Sequence, residues 1–414
     1  VNELSDVNNC GGCGHACNTP PFPNTTPSCN GGTCAYNCIS GYTLCSSSCS
    51  DLNSDPSNCG RCGRDCCGGS CSAGACQPVT LVSGLTGVPE YLDVNASYVY
   101  FDEVSAGTIK RVPVGGGTVT TLATGQTSPA GLVLGSTNVY WVSGTGGASA
   151  VGYVSWMPLN GGTVTTITAA LSTTPVEIAV NGSQPYWTAM GSGLTNGGVF
   201  TYVQLDGSLG GASTVASEPN ALGLASDSAY LYFSVFPAGA IKPPGPPPPG
   251  TSSSGISSSG SSSGIGSSGI GSSSGGTTCL SCASVASVPI TGGAVFTIAS
   301  GLNGPAMVAV DSTSVYWADG PSGTVMQAQG TGNHTGALVT LASGQSNPLP
   351  VRSDGRYVYW GNAGGGQLMA VPPGGGTPLT LATGQPNIRD IALSPACIYW
   401  TTAQSNTVMK IGKP

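Results

Sequence analysis

One feature constrains this chain above all others: a pair of adjacent aromatic residues returns seven times, as Tyr100-Phe101, Tyr140-Trp141, Tyr186-Trp187, Tyr232-Phe233, Tyr316-Trp317, Tyr359-Trp360 and Tyr399-Trp400. The pairs stand 40, 46, 46, 84, 43 and 40 residues apart, so the period is that of a repeat architecture, and one unit carries an insertion. The unit is plainest in GPAMVAVDSTSVYWADGPSGTVMQAQGTGNHTGALVTLASG, residues 304–344. An apolar run (Ala306–Val310) is followed by a run ending on the aromatic pair (Ser314–Ala318), a third (Thr324–Gln329) and a fourth (Leu338–Ala342). Runs this short, separated by Gly, Pro and Asn turns, predict four antiparallel strands and exclude helices.

A lone four-stranded meander leaves both faces in water, so it must stack on copies of itself, and radial repetition closes the stack. The first run of each unit is continuously apolar, as in GLVLG, VEIAV, MVAVD and DIALS, which suits an innermost strand covered on both faces. The aromatic pair then supplies the large area packed between neighbouring units. The seventh unit ends at TVMKIGKP, after its third strand, whereas QPVTLVSGL (Gln77–Leu85) matches the fourth-strand phrases TTLATGQ, VTLASGQ and LTLATGQ. The prediction is an all-β chain: a seven-bladed β-propeller over residues 77–414, closed by an N-terminal strand at Val79–Val82, and preceded by a small disulfide-rich module over residues 1–76. Closure of this kind removes an exposed sheet edge.

The phrases YWAD (316–319), YFDE, YWVS, YWTA, YFSV, YWGN and YWTT resemble the YWTD-like repeats of lipoprotein-receptor ectodomains. Those receptors have six blades and more charge, so the resemblance implies a fold and an extracellular setting and does not extend to a ligand.

Fourteen of the 17 cysteines crowd into residues 10–76: Cys10, Cys13, Cys17, Cys29, Cys34, Cys38, Cys45, Cys49, Cys59, Cys62, Cys66, Cys67, Cys71 and Cys76. That density in a stretch with few apolar residues reads as a disulfide framework in a secreted protein. DVNNCGGCGHAC (6–17) aligns with DPSNCGRCGRDC (55–66), and each continues to a Cys-x4-Cys. This pattern resembles the cysteine-rich repeat of the stigma-specific family as it occurs in secreted bacterial proteins. The register puts a counterpart of Cys49 just ahead of residue 1, so either processing cut the module or the natural protein extends further, and Cys67, additional to the pattern, is expected to pair with a cysteine left single by that truncation. Cys279 and Cys282 are a further candidate disulfide pair. The CxxC pairs offer zinc as an alternative, but no flanking histidines accompany them. Cys397, in ACIYW, reads as a buried unpaired thiol.

The insertion, residues 236–283 in blade four, holds PPGPPPPG followed by a Ser/Gly tract. It reads either as a solvated loop of polyproline and flexible character or as an arm that docks on another subunit. Only 7% of residues are charged, with a net charge of −7, so the surface repels its neighbours weakly and favours association. The ten scattered bases form no stripe for nucleic acid or anionic lipid, and no apolar run is long enough to span a membrane. A leader is expected to have been removed. Asn24, Asn95, Asn181 and Asn333 stand in glycosylation sequons.

Chemistry has a thin inventory. His15 and His334 are the two histidines; one aligns with Arg64 and the other lies in a turn, so a nucleophile would lack a base. No catalytic residue and no cofactor is assigned. Glu90, Asp93, Asp102 and Glu103 cluster in sequence as weak candidates for a structural Ca²⁺. Two function classes follow. The first is a non-catalytic extracellular protein that makes protein or glycan contacts and assembles with itself on a cell surface or in filaments, through the insertion or the cysteine-rich head; Tyr153 and Trp156 are candidate glycan-stacking residues. The alternative is a secreted lyase or hydrolase, with Glu90, Asp93, Glu177, Asp311, Arg352, Arg389 and Asp390 converging on the central channel.

Overall fold

The computed structural model describes all residues except 1, 19, 146–150, 169–170, 191–196, 204–210, 219, 237–282 and 334–335. The insertion, Cys279, Cys282 and His334 therefore lie outside the described residues.

Seven four-stranded antiparallel sheets make the propeller. Their innermost strands are Leu92–Val94, Pro129–Leu134, Thr174–Asn181, Ala221–Ser226, Pro305–Val310, Pro348–Ser353 and Ile388–Leu393, one for each of blades one to seven. The second strand of every blade carries the aromatic pair, from Tyr98–Glu103 in blade one to Cys397–Thr402 in blade seven. Blade seven takes Thr407–Gly412 as its third strand and Val79–Val82 as its fourth, with Thr80 paired to Met409. The ring is thus closed by a strand from the front of the chain.

Adjacent residues of a strand point to opposite faces of the sheet, and this explains why the aromatics come in pairs. Each joint between blades takes the tyrosine of one blade and the second aromatic of the next. Tyr100 packs with Trp141, Tyr140 with Trp187, Tyr186 with Phe233, Tyr232 with Trp317, Tyr316 with Trp360, Tyr359 with Trp400 and Tyr399 with Phe101. All five of these tryptophans are fully buried. At about 25 cal/mol per Å² and roughly 150–250 Å² per ring, each aromatic contributes several kcal/mol before the entropy of ordering is subtracted.

The polar atoms of the rings have partners set by the same repeat. In three blades the tyrosine hydroxyl donates to an aspartate five residues earlier, which also caps the turn between the first two strands: Tyr232 to Asp227 at 2.5 Å, Tyr316 to Asp311 at 2.8 Å and Tyr359 to Asp354 at 2.9 Å. In three of the five, the tryptophan Nε1–H donates to a glutamine at the end of the preceding blade: Trp141 to Gln126, Trp360 to Gln345 and Trp400 to Gln385, at 2.9, 3.0 and 3.2 Å. Trp317 lacks this partner. Leu302 stands where its glutamine would be, and the buried Nε1 has no acceptor among the described residues.

In the head, both cysteine motifs fold alike. Cys10–Cys29 and Cys17–Cys34 in the first correspond to Cys59–Cys71 and Cys66–Cys76 in the second. Asp6 and Asp55 each accept from the side chain of the asparagine before the first cysteine, both at 2.8 Å. Gly11 and Gly60 sit at φ +74° and +73°, where an added Cβ would strike the carbonyl oxygen of Gly32 or Gly74; that fixes the Cys-Gly step of the motif. Cys38–Cys49 and Cys45–Cys62 complete the intramodule links. Three expectations are corrected. Cys397 is not a free thiol: it is bonded to Cys67, so Cys67 pairs with a propeller cysteine and not with one left single in the head. Cys13 is an exposed free thiol, although its counterpart Cys62 is bonded to Cys45.

Replacing Gln345 by Leu reproduces the situation at Trp317 and leaves the buried Trp360 Nε1–H unpaired. We expect a loss of about 1–3 kcal/mol in denaturant unfolding; an unchanged midpoint would show that the glutamine is not a structural partner of the ring.

Candidate functional site

The innermost strands surround one axis, and their register decides which side chains reach it. The residue paired with the tyrosine of the second strand is Asp93, Val133, Ala179, Ala225, Ala309, Arg352 or Ala392 in blades one to seven. Two residues earlier, on the same side of the strand, stand Tyr91, Gly131, Glu177, Gly223, Met307, Pro350 and Asp390. Most of these positions are small, and two glycines have no room for anything larger: a Cβ on Gly223 would lie 2.3 Å from the carbonyl oxygen of Ala306, and one on Gly131 3.0 Å from the backbone of Glu177. The space left at the centre is taken by the exceptions.

Tyr91, Asp93, Glu177, Arg352 and Asp390 converge there. Arg352 Nη2 donates to Asp390 Oδ1 at 2.7 Å, and Nη1 to its neighbour's carbonyl, Val351 O, at 3.1 Å. Asp390 Oδ2 accepts from Leu92 N across the ring seam at 3.2 Å, and Asp93 Oδ2 from Leu134 N of blade two at 2.9 Å. The cluster is therefore also a set of ties between blades. Arg352 feels Asp390, Glu177, Asp93 and Tyr91 together, which holds its guanidinium charged. Burial pushes the Glu177 carboxyl up to about 8, helped by the negative charge of Asp390, while Arg352 opposes the shift. Burial likewise pushes Asp390 up to about 6 against the pull of Arg352. Near neutrality the centre thus holds an ionised Arg352–Asp390 pair beside a protonated Glu177. The Arg352 side chain keeps 30% of its surface accessible, whereas that of Asp390 keeps 1%.

The other residues singled out in the sequence do not join this cluster. Glu90 and Arg389 form their own pair at 3.9 Å. Asp311 caps the turn of blade five and accepts from Tyr316 and Ser353. The four Ca²⁺ candidates are not brought together as one ligand set: Glu103 pairs with Lys110 and accepts from Thr108, Asp102 accepts from the backbone of Glu90 and Tyr91, Glu90 faces Arg389, and Asp93 lies in the channel. Among the described residues, no three carboxylates converge closely enough to share an ion. His15 is exposed in the head, and Trp156 is half-buried against the joint between blades two and three, with Tyr153 half-buried on the same strand. Tyr91 was missed by sequence reasoning; its place beside Glu90, just ahead of the innermost strand Leu92–Val94, was the available signal.

No protein-family model and no curated protein matches the chain. Solved structures do. A virginiamycin B lyase from Staphylococcus aureus aligns with TM-score 0.57 and 12% identity over 82% of this chain and 99% of that one. A streptogramin B lyase gives 0.52 and 12% over 81% and 97%. The WD40 propeller domain of Doa1 gives 0.53 and 10% over 82% and 97%. At these identities the likeness shows the propeller fold alone.

The raised carboxyls fix the sign of a pH effect. Because Glu177 holds its proton more tightly folded than unfolded, its contribution to stability is complete below about pH 4.5 and is lost as pH rises toward about 8. We expect the unfolding free energy to fall across that window, by no more than about 1.4 kcal/mol per pH unit from this group, the melting temperature to fall with it, and the slope to flatten in Glu177→Gln. An identical slope in the variant would show that Glu177 does not carry the proton.

Proposed function

We propose that the protein is a non-catalytic extracellular recognition and assembly protein, in which the propeller makes protein or glycan contacts and the chain associates with itself. The observation that carries this reading is the attachment of the head to the propeller. Cys67–Cys397 links the head to the second strand of blade seven. Arg64 Nε and Arg61 Nη2 donate to the carbonyls of Lys413 and Pro414 at 2.9 and 2.8 Å. Cys59, Cys66 and Cys76 share one buried core with Tyr359, Ile398 and Ile411 of blades six and seven. The head is therefore a rigid extension of the ring, suited to transmitting load between contacts on either part. Seven disulfides among the described residues suit an oxidising compartment, and among those residues no helix is long and apolar enough to cross a membrane.

A second reading, a secreted lyase or hydrolase, is favoured by one observation: Glu177 at about 8 and Asp390 at about 6 flank the accessible Arg352. Two carboxyls with separated affinities for protons suit an acid and a base. Against it, Asp390 is already engaged by Arg352 and two backbone N–H groups, those of Leu92 and Ile391.

The two readings separate in one comparison. Val235 pairs with Ser284, so the insertion leaves and re-enters blade four at adjacent strand ends and can be shortened to a turn. Light scattering and electron microscopy of the full chain should show concentration-dependent assembly, reduced by that shortening or by removal of the head and unchanged by Arg352→Met. A chain that stays monomeric at every concentration and binds nothing on an array of immobilised matrix proteins and polysaccharides would contradict the recognition reading.

A further inference from the structure

The joints between blades carry a second, polar repeat. In three of them the residue after the aromatic pair is a hydroxyl that links its own blade to the next. Thr188 Oγ1 donates to Leu222 O at 2.5 Å, Ser234 Oγ to Ala306 O at 3.0 Å and Thr401 Oγ1 to Glu90 O at 2.9 Å. The same oxygens accept from the innermost strand of their own blade, from Gly223 N to Ser234 at 3.0 Å and from Asp390 N to Thr401 at 3.2 Å. In blades two, five and six the position holds Val142, Ala318 and Gly361, which need no partner. Blade one alone places a carboxyl there, Asp102, and it is fully buried.

Asp102 fills half of the hydroxyl's role in plain view. Its Oδ1 accepts from Glu90 N and Tyr91 N, both at 2.9 Å, as the hydroxyls accept from their own innermost strands. Its Oδ2 is buried and has no donor. An ionised carboxylate would leave that oxygen as an unpaired buried charge, which is costly. A neutral acid turns the same oxygen into a donor, and the repeat supplies the acceptor: the carbonyl of Ala130 in blade two stands in register with those of Leu222, Ala306 and Glu90.

We propose that Asp102 is a protonated carboxylic acid that takes the place of the hydroxyl at the joint between blades one and two, its Oδ2–H donating to the carbonyl of Ala130, so that a single proton latches the first blade to the second. The neighbourhood favours the neutral form. Burial holds the Asp102 carboxyl well above the usual range, helped by the like charges of Glu90 and Asp390, although the two backbone N–H groups pull the other way. Tyr91 stands beside it, Arg389 is engaged with Glu90, Lys110 with Glu103, and the innermost strand of blade two, Pro129–Leu134, contains no charged residue. Glu90 joins two latches in series, since its N–H serves Asp102 and its carbonyl serves Thr401 of blade seven. The latch is a pH-sensitive device of defined sign: it is closed at low and neutral pH and is lost as pH rises through the proton affinity of the folded acid.

The direct test is carbon-13 NMR of the full chain labelled at aspartate carboxyls, with the Asp102 signal assigned by its disappearance in Asp102→Asn or, if that variant fails to fold, in Asp102→Ser. The proposal expects the chemical shift of a protonated acid at pH 7 and a change to the ionised position only on alkaline titration; an ionised signal at pH 7 overturns it. Thermal unfolding gives a second arm. Asp102→Asn keeps an acceptor and a donor and should retain the melting temperature at pH 6 while losing the share of the alkaline fall that Asp102 carries, whereas Asp102→Ala should lose several degrees at pH 6. Equal losses in the Asn and Ala variants at pH 6 would contradict the latch.

Discussion

The structure depends on the packing of aromatic rings at the seven joints. A four-stranded blade has no interior of its own; what would be its core is divided between its two faces and completed by its neighbours. The alternation of side chains along a strand sends the tyrosine to one face and the following Trp or Phe to the other, so one dipeptide serves two joints. The buried clusters accordingly each span two consecutive blades, with Tyr399 and Phe101 meeting at the seam where the last blade touches the first. No blade is expected to be stable alone, and the seam matters as much as any joint within the chain.

Closure has consequences at the axis. Seven innermost strands brought together require small residues at two levels, and the glycines and alanines there leave a central space. Four blades fill it with Tyr91, Asp93, Glu177, Arg352 and Asp390, which tie blades six, seven, one and two across the seam by an ion pair and backbone hydrogen bonds. The polar centre and the hydroxyl repeat at the joints are thus parts of one network around blade one, whose residues Glu90, Asp93 and Asp102 all take part in it.

Much of this was legible in the sequence because it repeats. The aromatic pair fixed the number of blades, and the orphan strand phrase at Gln77–Leu85 fixed how they close. The glutamines at 126, 345 and 385 were visible in the phrases ATGQ and ASGQ, but their role was not, since it joins the end of one unit to the middle of the next. Asp102 and Glu103 looked like one cation site because they are adjacent; in a strand, adjacency sends them to opposite faces, one to a joint and the other to Lys110. Cys397 read as a core thiol because it lies on an apolar strand, and nothing local reveals that Cys67 arrives beside it from 330 residues away. Convergence at the axis was legible as a possibility, but which residues meet depends on a register that only pairing sets: Asp311 falls in a turn, and Tyr91 enters the cluster.

The claim that the ring closes through the front of the chain is tested most directly by hydrogen exchange along Thr407–Gly412, the third strand of blade seven. The account predicts that its amides exchange as slowly as those of Thr324–Gln329 and Gln367–Val371 in blades five and six, and that this protection collapses when residues 78–83 are replaced by a flexible Gly/Ser segment. Protection that survives the replacement would mean that Val79–Val82 does not complete the blade.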